Sequence, residues 1–357
     1  MTPDSLSFLK TLLDTPGPSA FEAAPARVWR AEAAKLADSV TADVAGNSFA
    51  TLNPKGSPRV MFAGHIDEIG VMVTHIDDDG FLSFEGIGGW DHQVFVGQRV
   101  RLLGRGGSVA GVIGKKAVHL MEKEDREKVS KVEDLWIDIG ASTRAEAERQ
   151  VRIGDPGVLA TGVLEFPNGR LVSRSTDNRI GAFVVLEALR QLATDRKTLA
   201  ASVTAVATTR EEIASTGGGA RTSAATLEPN VAIVVDVTHA TDYPGIDKRK
   251  HGDYRLGGGP VISRGAAVSE LVFESLAAAA EAEGIRYAIE AASRDTRTDA
   301  EAIFNAHRGV ATALVSVPNR YMHSPNEMVA LEDLDQTARL LAAFARRLRP
   351  DTDFVPR

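Results

Sequence analysis

The sequence contains no cysteine, no long apolar run and no excess of positive charge. Without cysteine, the 357-residue chain has no disulfides and no thiolate zinc site, and a cysteine nucleophile is excluded. No segment approaches the roughly 20 apolar residues that a membrane-spanning helix needs. The N-terminus also lacks the charged and apolar regions of a signal peptide. We therefore expect a cytoplasmic protein with no membrane partner.

The charge balance argues against a nucleic-acid partner. The 41 Lys and Arg residues are scattered among 48 Asp and Glu residues, and the formal net charge is -7. A nucleic-acid binder needs a basic face. The hydrophobic fraction of 43% and the charged fraction of 25% are those of an ordinary globular protein, and the length favours two domains.

The pattern of apolar residues changes twice along the chain. Residues 1–70 and 168–357 alternate apolar strands with helices, which predicts a mixed or parallel sheet flanked by helices on both faces. Residues 71–167 contain short alternating segments between Gly- and Asp-rich turns, which predicts a small β-barrel or sandwich. The predicted fold is therefore α/β, with a β domain inserted into it. Ser19 and Glu22 also have the spacing of a capping box at the start of the second helix.

Acidic and histidine residues follow the predicted strands of the α/β part. His65 and Asp67 follow the segment RVMFA, Glu211 and Glu212 follow ASVTAVA, Asp236 follows VAIVV, and His323 follows ALVSVP, while Asp177 begins a helix. Alone, each has a commoner role, such as a helix cap for Asp177. Ligand sites in α/β sheets lie outside the carboxyl ends of the strands. Because a solvated charge cluster does not usually end four buried strands, the set predicts a metal site.

The residue types in this set suit two divalent ions. Without cysteine, histidines and carboxylates must supply the ligands, and these suit zinc, cobalt or manganese. Two ions about 3.5–4 Å apart can share a carboxylate and activate one water molecule. Glu211 adjoins Glu212 without being needed as a ligand, which makes it the candidate general base. A zincin helix is excluded, because the segment from His323 to Glu327 contains a proline.

Six segments resemble, in order, the signatures of the tetrahedral (TET-type) aminopeptidases, the glutamyl and deblocking aminopeptidase family of dizinc metallopeptidases. They are GHIDEIG, STDNRIGA, TTREEIASTGGG, VVDVTHATDYPG, RTDAEAI and RYMHSPNE. The resemblance extends from about Pro16 to Val329. It implies a metallo-aminopeptidase that removes N-terminal residues from short peptides through a dimetal-activated hydroxide, with Glu211 as the general base.

The resemblance also implies roles for the other residues. His65 and Asp236 would be terminal ligands of one ion, Glu212 and His323 those of the other, and Asp177 the bridge. Asp67 would hydrogen-bond the ligand histidine. The cofactors would be two divalent ions per subunit, Zn²⁺ or Co²⁺, with Mn²⁺ as an alternative. The inserted domain resembles the family's dimerisation domain, which implies a homo-oligomer of dimers that assemble into a dodecamer.

The sequence departs from the family pattern at two informative positions. Asn178 replaces the usual aspartate after Asp177, and we expect the bridging geometry to survive. Arg297 replaces the usual glycine before Thr298, close to the segment that carries Asp299. Its side chain either brings a positive charge into the substrate pocket, where it would favour acidic residues, or points into solvent.

Other functions remain open at this stage. One alternative is a dimetal N-acyl amino acid deacylase or carboxypeptidase with a related fold. A glycosidase that uses Glu211 and Glu212 is less favoured, because neighbouring strand residues point to opposite faces. The sequence does not define the preferred N-terminal residue, the physiological metal or the final oligomer size.

Overall fold

The computed structural model describes residues 1–214 and 217–357, so Ser215 and Thr216 of the segment TTREEIASTGGG lie outside the described residues. The helices are α1 (Pro3–Asp14), α2 (Ala23–Ala33), α3 (Arg144–Glu148), α4 (Thr176–Ala193), α5 (Gly218–Leu227), α6 (Lys248–His251), α7 (Glu270–Ala282), α8 (Asp299–Phe304) and α9 (Leu331–Arg347). Among the described residues, no helix combines the length and the hydropathy needed to cross a membrane.

The strands of the first half of the chain are β1 (Ser39–Ala42), β2 (Ser48–Leu52), β3 (Arg59–His65), β4 (Gly70–Ile76), β5 (Leu82–Ile87), β6 (Arg99–Gly104), β7 (Gly107–Lys115), β8 (Leu135–Asp138), β9 (Pro156–Leu159), β10 (Leu164–Phe166) and β11 (Arg170–Ser173). Those of the second half are β12 (Ser202–Thr208), β13 (Val231–His239), β14 (Val261–Gly265), β15 (Ala288–Ala292), β16 (Ala311–Asn319) and β17 (Glu327–Ala330).

An eight-stranded mixed sheet forms the centre of the α/β part, in the order β1-β2-β12-β3-β13-β16-β14-β15. Strands β12, β3, β13 and β16 run parallel to one another. Strand β2 is antiparallel to β12, and β14 is antiparallel to β16. Parallel strands that are covered on both faces need continuous apolar sequence, which explains segments such as VAIVV. The predicted mixed sheet is confirmed.

Helices cover both faces of this sheet. Successive residues of a strand point to opposite faces, and the neighbours Met61 and Phe62 of β3 accordingly belong to two different apolar cores. Phe62 shares its core with Phe183 of α4 and Phe344 of α9. Met61 shares its core with residues of α5 and with Ile303 of α8. The sheet is therefore flanked by helices on both sides, as the alternating pattern predicts.

Helix α4 lies unusually close to strand β3. A Cβ atom on Gly64 of β3 would come within 2.4 Å of the carbonyl carbon of Gly181 in α4, so this approach requires glycine. At the start of α4, Asp177 and Asn178 have backbone angles that are not helical. The close approach holds the first turn of α4 beside the end of β3, where Asp177 meets His65.

The inserted part forms a closed antiparallel barrel in the order β4-β5-β8-β7-β6-β9. Its interior is a separate apolar core that includes Val73, Phe84, Phe95, Leu102 and Ile137. The predicted small inserted β-barrel is confirmed. Strand β10 pairs instead with β11, which pairs with β17, in a three-stranded sheet. The domain boundaries at residues 71 and 167 stay a prediction.

The predicted capping box of Ser19 and Glu22 is wrong. Glu22 precedes the first residue of α2, and its side chain makes no cap hydrogen bond. The carboxylate accepts hydrogen bonds from the backbone N–H of Ala20 (2.7 Å) and of Arg210 (3.1 Å). A tertiary contact has replaced the local one, and the buried Glu22 supports the loop that follows β12.

Candidate metal centre

The structure brings the predicted ligands together at the carboxyl edge of the large sheet. His65 ends β3, Asp236 lies in β13, Asp177 lies at the start of α4, and Glu212 and His323 lie in loops. All five line a cavity of about 1290 Å³, together with Glu211. The site therefore forms where apolar strands end, as ligand sites in α/β sheets do.

Two groups of side chains within this cavity can each hold a metal ion. The first contains His65, Asp177 and Asp236, whose candidate ligand atoms lie within 4.8 Å of one another. Nε2 of His65 lies 3.2 Å from Oδ1 of Asp177 and 3.9 Å from Oδ1 of Asp236. One imidazole and two carboxylates form a donor set that suits zinc, cobalt or manganese.

The second group contains Asp177, Glu212 and His323. Nε2 of His323 lies 3.4 Å from Oδ2 of Asp177 and 3.3 Å from Oε2 of Glu212. Asp177 therefore belongs to both groups, and each of its two carboxylate oxygens faces a different histidine. A carboxylate placed in this way could be shared by two ions.

Asp67 connects the histidine of the first group to the loop that carries both glutamates. Its Oδ1 lies 3.4 Å from Nδ1 of His65. The same carboxylate accepts hydrogen bonds from the backbone N–H of Glu211 (3.2 Å) and of Glu212 (3.1 Å). Asp67 is fully buried, so one side chain lies against the His65 ring and holds the neighbouring loop.

Glu211 lies beside the ligand groups without belonging to either. Its Oε2 is 3.7 Å from Nε2 of His65. Burial raises the pKa of Glu211 to about 10; the charge on His65 opposes this shift, and the charges on Asp236, Asp299 and Glu212 add to it. Divalent cations bound beside Glu211 would lower this pKa again, and a carboxylate that borders the reaction space without being needed as a ligand could then accept a proton.

The electrostatics of the site fit divalent cations. Burial lowers the pKa of His65, but the surrounding carboxylates outweigh burial and raise it well above its ordinary value. Burial also opposes the charge on His323, yet hydrogen bonds to Asp177 and Glu212 raise its pKa to about 11. Burial raises the pKa of Asp236 well above its usual range. A carboxylate with a raised pKa holds a proton that a bound cation would replace.

A buried carboxylate that sequence reasoning missed supports both ligand groups. Glu327 accepts hydrogen bonds from the hydroxyl of Thr176 (2.6 Å) and from the backbone N–H of Asp177 (2.8 Å) and His323 (2.9 Å). It therefore fixes the backbone of the shared aspartate relative to that of a histidine 146 residues further on. The one sequence feature that could have indicated this role of Glu327 is its position four residues after His323 in the segment RYMHSPNE.

The two departures from the family pattern have different structural consequences. The side-chain amide of Asn178 donates to the carbonyl oxygen of Val235 (2.8 Å) and accepts from the N–H of Gly181 (3.0 Å), so its donor and its acceptor are both used. Arg297 has a φ of 58°, in the left-handed region that favours glycine. Its side chain lines the cavity but is 88% exposed, with Nε 3.7 Å from a carboxylate oxygen of Asp295.

A fold with a barrel inserted into a mixed sheet, and with two ligand groups at the sheet edge, defines a class of peptidase. The family model for the M42 glutamyl aminopeptidases matches residues 46–340. The chain therefore belongs to the M42 glutamyl aminopeptidase family, and its activity class is that of an aminopeptidase, a peptide hydrolase.

Individual relatives cover almost the whole chain. The lysyl aminopeptidase of Pyrococcus furiosus is 35% identical over 353 residues, which is 98% of each chain. A TET aminopeptidase from a marine sediment thaumarchaeon superposes with a TM-score of 0.92 at 32% identity, covering 97% of this chain and 96% of that one. The TET1 peptidase of Pyrococcus horikoshii superposes with a TM-score of 0.85 at 31% identity, covering 96% of this chain and all of that one.

Proposed function

We propose that this chain is a dimetal aminopeptidase that removes N-terminal residues from short peptides. The observation that carries the proposal is the position of Asp177, whose Oδ1 lies near His65 and whose Oδ2 lies near His323. One ion would be held by His65, Asp236 and Asp177, and the other by Glu212, His323 and Asp177. Zn²⁺ and Co²⁺ fit these donors, with Mn²⁺ as an alternative.

The reaction would divide its tasks between the ions and the side chains around them. When bound, the ions would supply a Lewis acid for the peptide carbonyl and lower the pKa of water. Glu211 would take a proton from the attacking water and deliver it to the leaving amine. Asp67 would hold the loop of Glu211 through its hydrogen bonds to the backbone. Glu327 would hold the backbones of Asp177 and His323 at a fixed distance through its hydrogen bonds to both.

Aminopeptidase activity is favoured over the deacylase and carboxypeptidase alternatives by family membership. A carboxypeptidase would use the same metal chemistry at the C-terminal end of the substrate, and a deacylase would use it on the N-acyl bond. A free N-terminal amine is therefore the feature that separates them. If N-acetylated substrates were hydrolysed as fast as free ones, a deacylase would be the better assignment.

Removal of divalent ions tests the metal requirement directly. We expect chelation to lower the hydrolysis of aminoacyl anilides by at least about 100-fold, because the Lewis acid and the activated water are lost together. Zinc, cobalt or manganese should restore it, with full activity at two bound ions per chain measured by elemental analysis. The matched control is the same panel of anilides with acetylated N-termini. Full activity in the chelated protein, or saturation at one ion, would contradict the proposal.

We also propose that the barrel mediates self-association. The barrel region exposes several large apolar side chains, including Val112, Leu120 (70% exposed), Val129 and Ile153 (62% exposed). Apolar surface of this kind marks protein–protein contacts. The Pyrococcus horikoshii relative is described as assembling into a tetrahedron or a large octahedral shell, and a dodecamer built from dimers is the assembly that the sequence resemblance implies.

Light scattering of the eluted protein tests this assembly. We expect a mass of twelve chains of 38.0 kDa, and a smaller species for Val112→Glu, which places a charge on the exposed face of β7. Val44→Glu is the matched control, because Val44 is fully exposed outside the barrel. A monomeric wild-type chain would refute self-association. An unchanged mass for Val112→Glu would show that the interface does not include the exposed face of β7.

A further inference from the structure

The part of the cavity beyond Asp236 has a floor made by four neighbouring strands. Residues paired directly across a sheet point to the same face. Asp236 of β13 is paired with Ser316 of β16, and Ser316 is paired with Val261 of β14. Two residues further along β14, Ser263 is paired with Glu290 of β15. The metal ligand, two serines and a glutamate therefore share one face of the sheet, and all four line the cavity.

The two serines are unusual among these residues. Ser263 and Ser316 are each 1% exposed. Their hydroxyl oxygens have no hydrogen-bond partner in the described part of the chain. A buried hydroxyl without a partner destabilises the fold, because it has lost its hydrogen bonds to water. Because two such hydroxyls lie on the floor of a cavity, we infer that a polar group of a ligand completes their hydrogen bonds.

Glu290 supplies a negative charge to the same floor. Its Oε1 accepts a hydrogen bond from the hydroxyl of Thr238 (3.0 Å). Within residues 1–214 and 217–357, Glu290 forms no ion pair with a basic side chain. Thr238 follows Asp236 by two residues in β13, which is about 6.6 Å along a strand. The carboxylate of Glu290, which has no basic partner among the residues that the structure describes, is thus separated from the ligand groups by about the length of one long side chain.

We propose that Glu290, assisted by Ser263 and Ser316, binds the side chain of the substrate's N-terminal residue and selects lysine or arginine. The proposal rests on the aminopeptidase function proposed above. An ammonium or guanidinium group carries only hydrogen-bond donors, and the carboxylate and the two hydroxyl oxygens supply acceptors. An acidic substrate side chain would meet the charge of Glu290, and an aliphatic one would leave both hydroxyls unpaired.

Basic residues also line the cavity, but they are more exposed to solvent than Glu290. Arg221, Arg294 and Arg297 are all exposed. Charges in contact with water are screened by solvent and salt, so they oppose a bound cation only weakly. The half-buried Glu290 interacts with a cation at hydrogen-bond distance, where charge-assisted bonds are strongest.

Comparison of Glu290→Gln with the wild-type enzyme tests the proposal. We expect wild-type kcat/KM for lysyl and arginyl anilides to exceed that for leucyl and glutamyl anilides. Glu290→Gln should lower the lysyl value by about 10- to 100-fold, the range for a lost charge-assisted bond, and change the leucyl value by less than about threefold. The matched control is Asp295→Asn, which removes the same charge from an exposed position in the cavity wall and should leave the lysyl-to-leucyl ratio within about twofold.

Calorimetry with the metal-loaded protein supplies a readout that does not require turnover. L-lysine should bind more tightly than L-norleucine to the wild type, and this difference should disappear in Glu290→Gln. A wild-type preference for glutamyl or leucyl anilides would overturn the proposal, as would an equal loss on all anilides in Glu290→Gln. If no anilide is hydrolysed, the aminopeptidase assignment fails. In that event, equal binding of lysine and norleucine overturns the role of Glu290, and tighter binding of lysine supports it.

Discussion

Replacement of Glu211 by glutamine will lower kcat by about 10²- to 10⁴-fold, the usual contribution of a general base. The amide keeps the shape of the side chain but cannot accept a proton from water. Because Glu211 belongs to neither ligand group, the variant should still bind two ions. The measurement is kcat on aminoacyl anilides, with metal content determined on the same samples.

Glu212→Gln is the matched comparison, since it makes the same chemical change at the neighbouring residue. Glu212 lies 3.3 Å from Nε2 of His323 through its Oε2 and belongs to a ligand group. We expect this variant to lose metal as well as activity. Turnover near the wild-type value in Glu211→Gln, with both ions bound, would remove Glu211 from its proposed role.

Replacement of Glu68 by glutamine will destabilise the fold by about 3–5 kcal/mol, because it leaves two buried cations without their counter-charge. Glu68 is 1% exposed, and Arg179 is completely buried. Nη2 of Arg179 donates to Oε1 of Glu68 at 2.9 Å. Nε of Arg174 lies 2.9 Å from Oε2 in an ion pair that lacks the alignment of a hydrogen bond.

Chemical denaturation measures this loss. Both proteins should be free of metal and at the same concentration, because bound ions and self-association contribute to apparent stability. The matched control is Glu270→Gln, which breaks an exposed pair with Arg264 and should leave the free energy of unfolding nearly unchanged, because solvent screens that pair. A loss below about 1 kcal/mol in Glu68→Gln would mean that water or a neighbouring group compensates the two arginines.

Much of the fold and the membership of the site could be predicted from the sequence, because both depend on local patterns. An apolar run marks a strand that is buried on both faces, and the acidic and histidine residues that follow it lie near the sheet edge. This pattern predicts that His65, Glu212, Asp236 and His323 lie close together at the carboxyl edge of the sheet. Their metal-binding roles stay a prediction, which the Glu212 comparison addresses in part.

Other features depend on contacts between distant segments and had no reliable local signal. Glu22 has the spacing of a capping residue, yet its carboxylate supports the backbone of Arg210, 188 residues away. Glu327 supports Asp177 across 150 residues. The row of Ser316, Ser263 and Glu290 depends on strand order and register, because β14 is antiparallel to β16 and parallel to β15.

The hydrogen bonds of Arg179 have a consequence for how the chain folds. Its guanidinium donates to the carbonyl oxygens of Leu12 and Gly17, residues that precede it by 167 and 162 positions. It also donates to the carbonyl of Ile66, 113 positions earlier. Contacts between such distant residues require the closure of a long loop and form slowly. That loop contains the whole barrel, so the segment that carries Asp177 reaches its final place only after both parts of the chain have come together. We therefore expect the metal centre to be among the last regions of this protein to become ordered during folding.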